Sequence, residues 1–128
     1  MRVHPTFKMM ILWISLGLLS GCAYAVIGGA AAGGTYAYVA GWLHRNYEAS
    51  LEQTYETSLE AMQDLGIRVE TKTLSLSKAD VRGKKGDETI IVKMEKQSGG
   101  VVKVSVRVGL LGDEQASREV HEAIADNL

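Results

Sequence analysis

A chain of 128 residues with 46% hydrophobic and 23% charged side chains has room for one folded domain and a short export segment. The charge is sharply partitioned: none falls between Lys8 and Arg45, while all 15 acidic residues and 12 of the 14 basic ones lie from Arg45 onward. The part from Arg45 onward therefore carries 12 − 15 = −3, against −1 for the whole chain, a balance that argues against nucleic acid as a partner and against a polybasic patch as the main membrane anchor. A single cysteine excludes a disulfide framework and a cysteine zinc site.

In chain order, Arg2 and Lys8 precede an uncharged run from Met9 to Ser20, MMILWISLGLLS. A basic start, a short apolar run and small residues make the tripartite pattern of a secretory signal, predicted over residues 1–21. The run is too short to span a hydrocarbon core, which takes about 20 residues. Leu19-Ser20-Gly21-Cys22 resembles the lipobox of bacterial lipoproteins. That resemblance implies cleavage before Cys22 and lipid on its sulfur, with acylation of the new amino group. Each buried methylene contributes about 0.8 kcal/mol, so two or three acyl chains anchor durably where one is marginal. Ala23 stands where an aspartate would retain such a protein at the inner membrane, so the resemblance also implies the outer membrane, with the domain facing the periplasm.

Residues 22–35 are small and uncharged, and two readings compete for them. Twenty-one uncharged residues follow Cys22 up to Leu43, the length of a membrane helix, and Gly29 and Gly33 are spaced as GxxxG. The preferred reading is a flexible Gly/Ala tether, because each glycine costs a helix about 1 kcal/mol relative to alanine.

The folded domain is predicted over residues 36–128. Tyr36–Tyr47 alternates loosely and reads as an opening strand. Ser50 and Gln53 form a capping box for a helix whose apolar stripe is Leu51, Tyr55, Leu59, Met62 and Leu65, closed by Gly66. Ile67, Val69 and Thr71 alternate as a strand. Leu74 and Leu76 fit neither loop nor alternation, and either pack on a bulge or stand exposed for a partner.

Two hairpins are fixed by register, since a slip of one residue turns every side chain to the other face. With Gly86-Asp87 as a two-residue type II′ loop, Val81 faces Val92 and Ala79 faces Met94, while Lys78 meets Glu95 and Asp80 meets Lys93. A two-residue Gly99-Gly100 loop would set Val104 against Glu95. Extending it to Ser98-Gly99-Gly100 pairs Met94 with Val104, Val92 with Val106, Ile90 with Val108 and Glu95 with Lys103. Asp113 caps a final helix with Ala116, Val120, Ala123 and Ile124 as its stripe. The order (β)-α-β-β-β-β-α predicts an α+β fold: an antiparallel sheet of four to five strands with both helices packed on one face.

Chemistry is sparse. No HExxH, GxSxG or GxxxxGK[ST] pattern occurs. His4 leaves with the signal, His44 and His121 lie far apart in sequence, and a lone helical histidine such as His121 is more often a surface residue than a ligand. Glu48, Glu52, Glu56 and Glu60 recur every four residues, the pattern of a solvated helix face rather than a cation site. Lys84 and Lys85 suit a hairpin tip. No catalytic set, metal site or cofactor is expected.

The segment Arg107-Val108-Gly109-Leu110-Leu111-Gly112-Asp113-Glu114, with the lipobox, the glycine-rich stretch, the Tyr47–Gly66 segment and the valine strand, resembles a small family of proteobacterial lipoproteins of unknown function. The resemblance covers most of the chain and carries no activity. It implies an envelope lipoprotein without assigned chemistry. With no catalytic set in the sequence, the expectation is a non-enzymatic structural or interaction protein, held to the membrane through lipid on Cys22 and free to meet an unidentified envelope protein. The alternative is a periplasmic module gripping an apolar ligand between helix and sheet, in a cavity of about 300 Å³ or more lined by residues such as Met62, Met94 and Tyr55.

Overall fold

The computed structural model describes residues 35–128, so the signal segment, Cys22 and all but the last residue of the tether lie outside the described residues. The domain comprises β1 (Ala37–Val39), β2 (Trp42–Tyr47), α1 (Leu51–Asp64), β3 (Arg68–Leu74), β4 (Lys78–Lys85), β5 (Glu88–Lys96), β6 (Val102–Val108) and α2 (Glu114–Asn127). All strand pairs are antiparallel, in the order β1-β2-β6-β5-β4-β3. The fold is therefore α+β as expected, but the sheet has six strands rather than four or five.

The extra strand comes from the segment read as one opening strand. Ala40 and Gly41 both take positive φ, 51° and 86°. That is the backbone of a tight primed turn, which folds Val39 back onto Trp42. Ala40 is the only described non-glycine residue in this region of φ, and alanine does not signal it. Val39 consequently faces the same side as Trp42, opposite to Leu43 and Tyr47.

The two central hairpins adopt the predicted registers, from Lys78↔Glu95 and Ala79↔Met94 to Met94↔Val104 and Ile90↔Val108. Gly86 has φ of 61° and Asp87 does not, as a type II′ turn requires. Gln97 N–H donates to the Val101 carbonyl at 2.8 Å and closes the three-residue loop. Strand β3 departs from simple alternation. A bulge between Val69 and Thr71 shifts its register and turns Thr71 to the open face. It also brings Leu74 opposite Ala79, onto the helix side.

Both helices begin on side-chain caps, and α1 ends at a glycine. The Ser50 hydroxyl accepts from Gln53 N–H and the Asp113 carboxylate from Ala116 N–H. At the end of α1, Ile67 N–H reaches the Met62 carbonyl at 2.8 Å and Gly66 N–H that of Gln63 at 3.1 Å, with Gly66 at φ 70°. This double bond pattern is the Schellman stop.

The core lies between the helices and one face of the sheet, built on Val81, Val92, Met94, Val104 and Val106 with Leu51, Met62 and Ile124 above them. The buried face of α1 is rotated from its apolar stripe: Thr54, Thr57 and Ser58 are buried, while Tyr55 and Leu59 are only partly so. Each of these hydroxyls donates to the carbonyl four residues earlier, at 2.7–2.8 Å, and so enters the core satisfied. Their small volume sets the helix close to the sheet, where the Ser58 hydroxyl also reaches the Met94 sulfur at 3.5 Å.

Gly83 marks the tightest approach on that face. A Cβ there would lie 2.7 Å from Ile67 Cγ2 and 2.8 Å from the Arg68 carbonyl oxygen. Gly83→Ala is expected to cost about 1–3 kcal/mol through overpacking, read as a lower urea midpoint at unchanged slope.

Candidate functional site

The two histidines of the domain serve different surroundings. His44 stands on the open face of β2, its Nδ1 2.6 Å from the Ser105 hydroxyl. Burial, with a contribution from Lys103, lowers its pKa. His121, expected at the surface, is completely buried on α2. Its Nε2 lies 2.8 Å from the Leu43 carbonyl, which can only accept, so Nε2 carries the proton. Nδ1 then accepts from the Tyr47 hydroxyl at 2.8 Å, a hydroxyl that also approaches the His121 carbonyl at 3.1 Å. Both ring nitrogens are committed to tying α2 to β2, and neither bond is to an acid.

Aromatic and cationic groups surround this tie. Tyr47 stacks on His121 and Tyr36 meets it edge-on. The Arg45 guanidinium lies 5.2 and 4.9 Å from the Tyr36 and Tyr47 ring centroids and donates to the Tyr36 hydroxyl at 3.0 Å. Arg118 covers Tyr36 at 4.7 Å. Burial first, and then the positive charge of Arg45, resist protonation of His121; its bond to Leu43 only partly offsets them, leaving the pKa at about 4.

A second constellation lies at the end of the sheet where β1 turns into β2 and β6 leaves for α2. Leu110 and Leu111, in the connection after β6, are 88% and 86% exposed, and Val39 across from them is 60% exposed. The loop is nevertheless built. Gly109 N–H donates to the Thr89 carbonyl at 2.9 Å, and the Arg107 guanidinium donates to the Leu110 carbonyl. Gly112, at φ 83°, packs directly on Gly41: a Cβ on Gly112 would lie 2.4 Å from the Gly41 carbonyl oxygen. These contacts hold the backbone while both leucine side chains stay out of the core. Trp42 lies beside them on the open face, with Lys93 Nζ 4.9 Å and the Arg107 guanidinium 5.8 Å from its ring centroid. A groove of about 540 Å³ runs alongside, lined by Thr89, Ile91, Arg107 and Leu110 and flanked by Asp87 and Glu88.

The other sequence candidates scatter. Cys22 lies outside the described residues. Glu48, Glu52, Glu56 and Glu60 are all exposed, and among the described residues no three His, Cys, Asp or Glu side chains are grouped to hold a metal ion. Lys84 and Lys85 sit at the exposed β4–β5 tip. Leu76 is 94% exposed in the β3–β4 loop, at the end of the sheet away from Leu110. Met62 and Met94 are buried in the core. The cleft that does open between helices and sheet lies instead among Leu65, Ile67, Ile90, Val108, Ala116 and Val120, with a volume of about 190 Å³. Among the described residues no helix is long and apolar enough to cross a membrane.

Compared with known proteins, residues 6–127 match the family described as "Protein of unknown function (DUF3568)". The chain belongs to that family. No curated protein matches it. The match spans both the Gly109–Gly112 loop and the His121 tie. Sequence reasoning passed over both as sites. The loop had a legible signal, two leucines framed by glycines, whereas nothing around His121 announced its pairing with Tyr47, 74 residues earlier.

The His121 tie generates a pH dependence. An unfolded histidine titrates near 6.5 and the folded one near 4, so the unfolded chain binds the extra proton in between. Stability is therefore complete above pH 6.5 and lost as pH falls toward 4, by on the order of 3 kcal/mol. His44, lowered in the same direction, is removed by measuring in a His44→Gln background. Urea midpoints at pH 7, 6, 5 and 4.5 are expected to fall in that background, and to fall less steeply once His121→Gln is added.

Proposed function

We propose that this protein is a lipid-anchored envelope protein whose role is structural or protein-interacting rather than catalytic. In this reading Cys22 carries diacylglycerol, the chain starts at Cys22 after cleavage, and the lipid sits in the outer membrane with the domain in the periplasm. The observation that carries it is Leu19-Ser20-Gly21-Cys22 placed directly after a short uncharged run. A role through contact is supported by the built loop that displays Leu110 and Leu111, since fixed apolar side chains at a surface mark interaction sites. It is supported also by His121, whose ring nitrogens hold the fold together.

A second reading, an apolar-ligand module, draws on the cleft beside Ile67 and Val120. At about 190 Å³ that cleft is smaller than ligand pockets of about 300–1,000 Å³, and the methionines expected to line a site are taken up by the core. It is the weaker of the two.

Intact mass of the protein purified from the membrane fraction, beside Cys22→Ala, tests the leading reading. The expected result is a chain beginning at Cys22 with added acyl mass, and in the mutant an unacylated chain released from the membrane. A full-length chain without acyl mass, or wild type in the cytosolic fraction, would overturn it.

A further inference from the structure

We propose that the end of the domain bearing Leu110 and Leu111 rests in the lipid surface to which Cys22 anchors it, with the open face of the sheet turned to the headgroup phosphates. The proposal rests on the lipid-anchor reading above and gives it an orientation.

The leucine end is amphipathic in the way an interface demands. Leu110, Leu111 and Val39 stand out from the surface, while Trp42, Lys93 and Arg107 lie beside them as an aromatic ring with two cations against it. Tryptophan and basic side chains are the residues that settle at headgroup level, with apolar neighbours directed into the acyl region. Because Arg107 and Gly112 fix the loop, docking these leucines orders little that was not already ordered.

The register turns Lys78, Arg82, Lys84, Lys93, Lys103 and Arg107 to the open face of β4–β6, against two carboxylates, Asp80 and Glu95. Residues 48–64 and 113–128, which hold both helices, carry ten acidic residues and one base, Arg118. A domain of net negative charge is thereby polarised, and an anionic surface attracts the sheet face while repelling the helices.

Twelve residues, 23–34, separate Cys22 from Thr35, a reach of about 45 Å at full extension. Thr35 leads straight into β1, whose turn carries Val39 and packs Gly41 on the leucine loop. Tethering holds the patch at high effective concentration above the lipid, so a contact too weak to bind membranes alone suffices to orient the domain.

Tryptophan occurs only at positions 13 and 42. In a Trp13→Phe background Trp42 is the sole reporter whether or not the leader is removed. The acylated protein, reconstituted in phosphatidylethanolamine–phosphatidylglycerol vesicles whose acyl chains are brominated near the headgroup, is expected to lose Trp42 emission. Leu110→Asn with Leu111→Asn is expected to restore that emission while leaving acyl mass and vesicle flotation unchanged. Each leucine replaced lowers the docked population by about tenfold or more, the equivalent of one buried leucine side chain. Acylated, vesicle-bound protein whose Trp42 is unquenched, or equally quenched in the double variant, would overturn the docking alone. Unquenched Trp42 with a leucine-dependent cross-linked dimer would overturn it in favour of a second copy. Protein lacking acyl mass would overturn both docking and anchor.

Discussion

Pairing of β2 with β6 brings together segments some 60 residues apart in the chain, and both constellations follow from it. Five residue pairs, from Leu43↔Val106 to Tyr47↔Val102, set that register. It delivers Gly41 against Gly112, Trp42 against Arg107, and the Leu43 carbonyl and Tyr47 hydroxyl against His121. A shift of one residue would turn Leu43 and Tyr47 to solvent, bury Trp42 and His44, and part the glycines. The pairing is held from above by His121, a neutral imidazole that spends both nitrogens on β2. An apolar residue there would leave the Leu43 carbonyl without its donor, which is the costlier half of a lost hydrogen bond.

The two layers divide the labour. The sheet supplies one continuous apolar face and one charged face, the usual condition of an antiparallel sheet covered on a single side. Helix α1 links β2 to β3, strands separated in the sheet by β6, β5 and β4, and it crosses that face on small side chains whose hydroxyls are satisfied internally. Its glutamates are left outward, and six cations of β4–β6 fall on the far side of the sheet. The separation of charge is thus a by-product of a one-sided core, and it leaves the domain with two chemically distinct surfaces. The leucine loop lies where the basic surface meets the end of the sheet.

Much of this was legible in the chain, for an identifiable reason. The hairpins 78–96 and 88–108 are local, and alternating valines opposed to paired charges admit only one register; both helix starts are written as Ser50 and Asp113 caps. The remaining features are either unsignalled or non-local. Ala40 occupies a backbone region that alanine rarely takes, so the β1–β2 hairpin read as one strand and the sheet lost a member. The bulge at Glu70 moved Thr71 to the other face and explains Leu74, which no periodicity accounted for. His121 reads as a surface residue because its partners, Leu43 and Tyr47, lie far up the chain. The glycine-framed leucines were visible as letters, but only the contact with Gly41 shows that they are held outward.

A rigid backbone displays Leu110 and Leu111. Backbone ¹⁵N relaxation across residues 107–113 of the protein in solution tests it most directly. Order parameters for Gly109–Gly112 are expected to lie close to those of the neighbouring strands, about 0.85. Values below about 0.6 at these positions would mean a flexible loop, and the leucines would then be exposed by default rather than by construction.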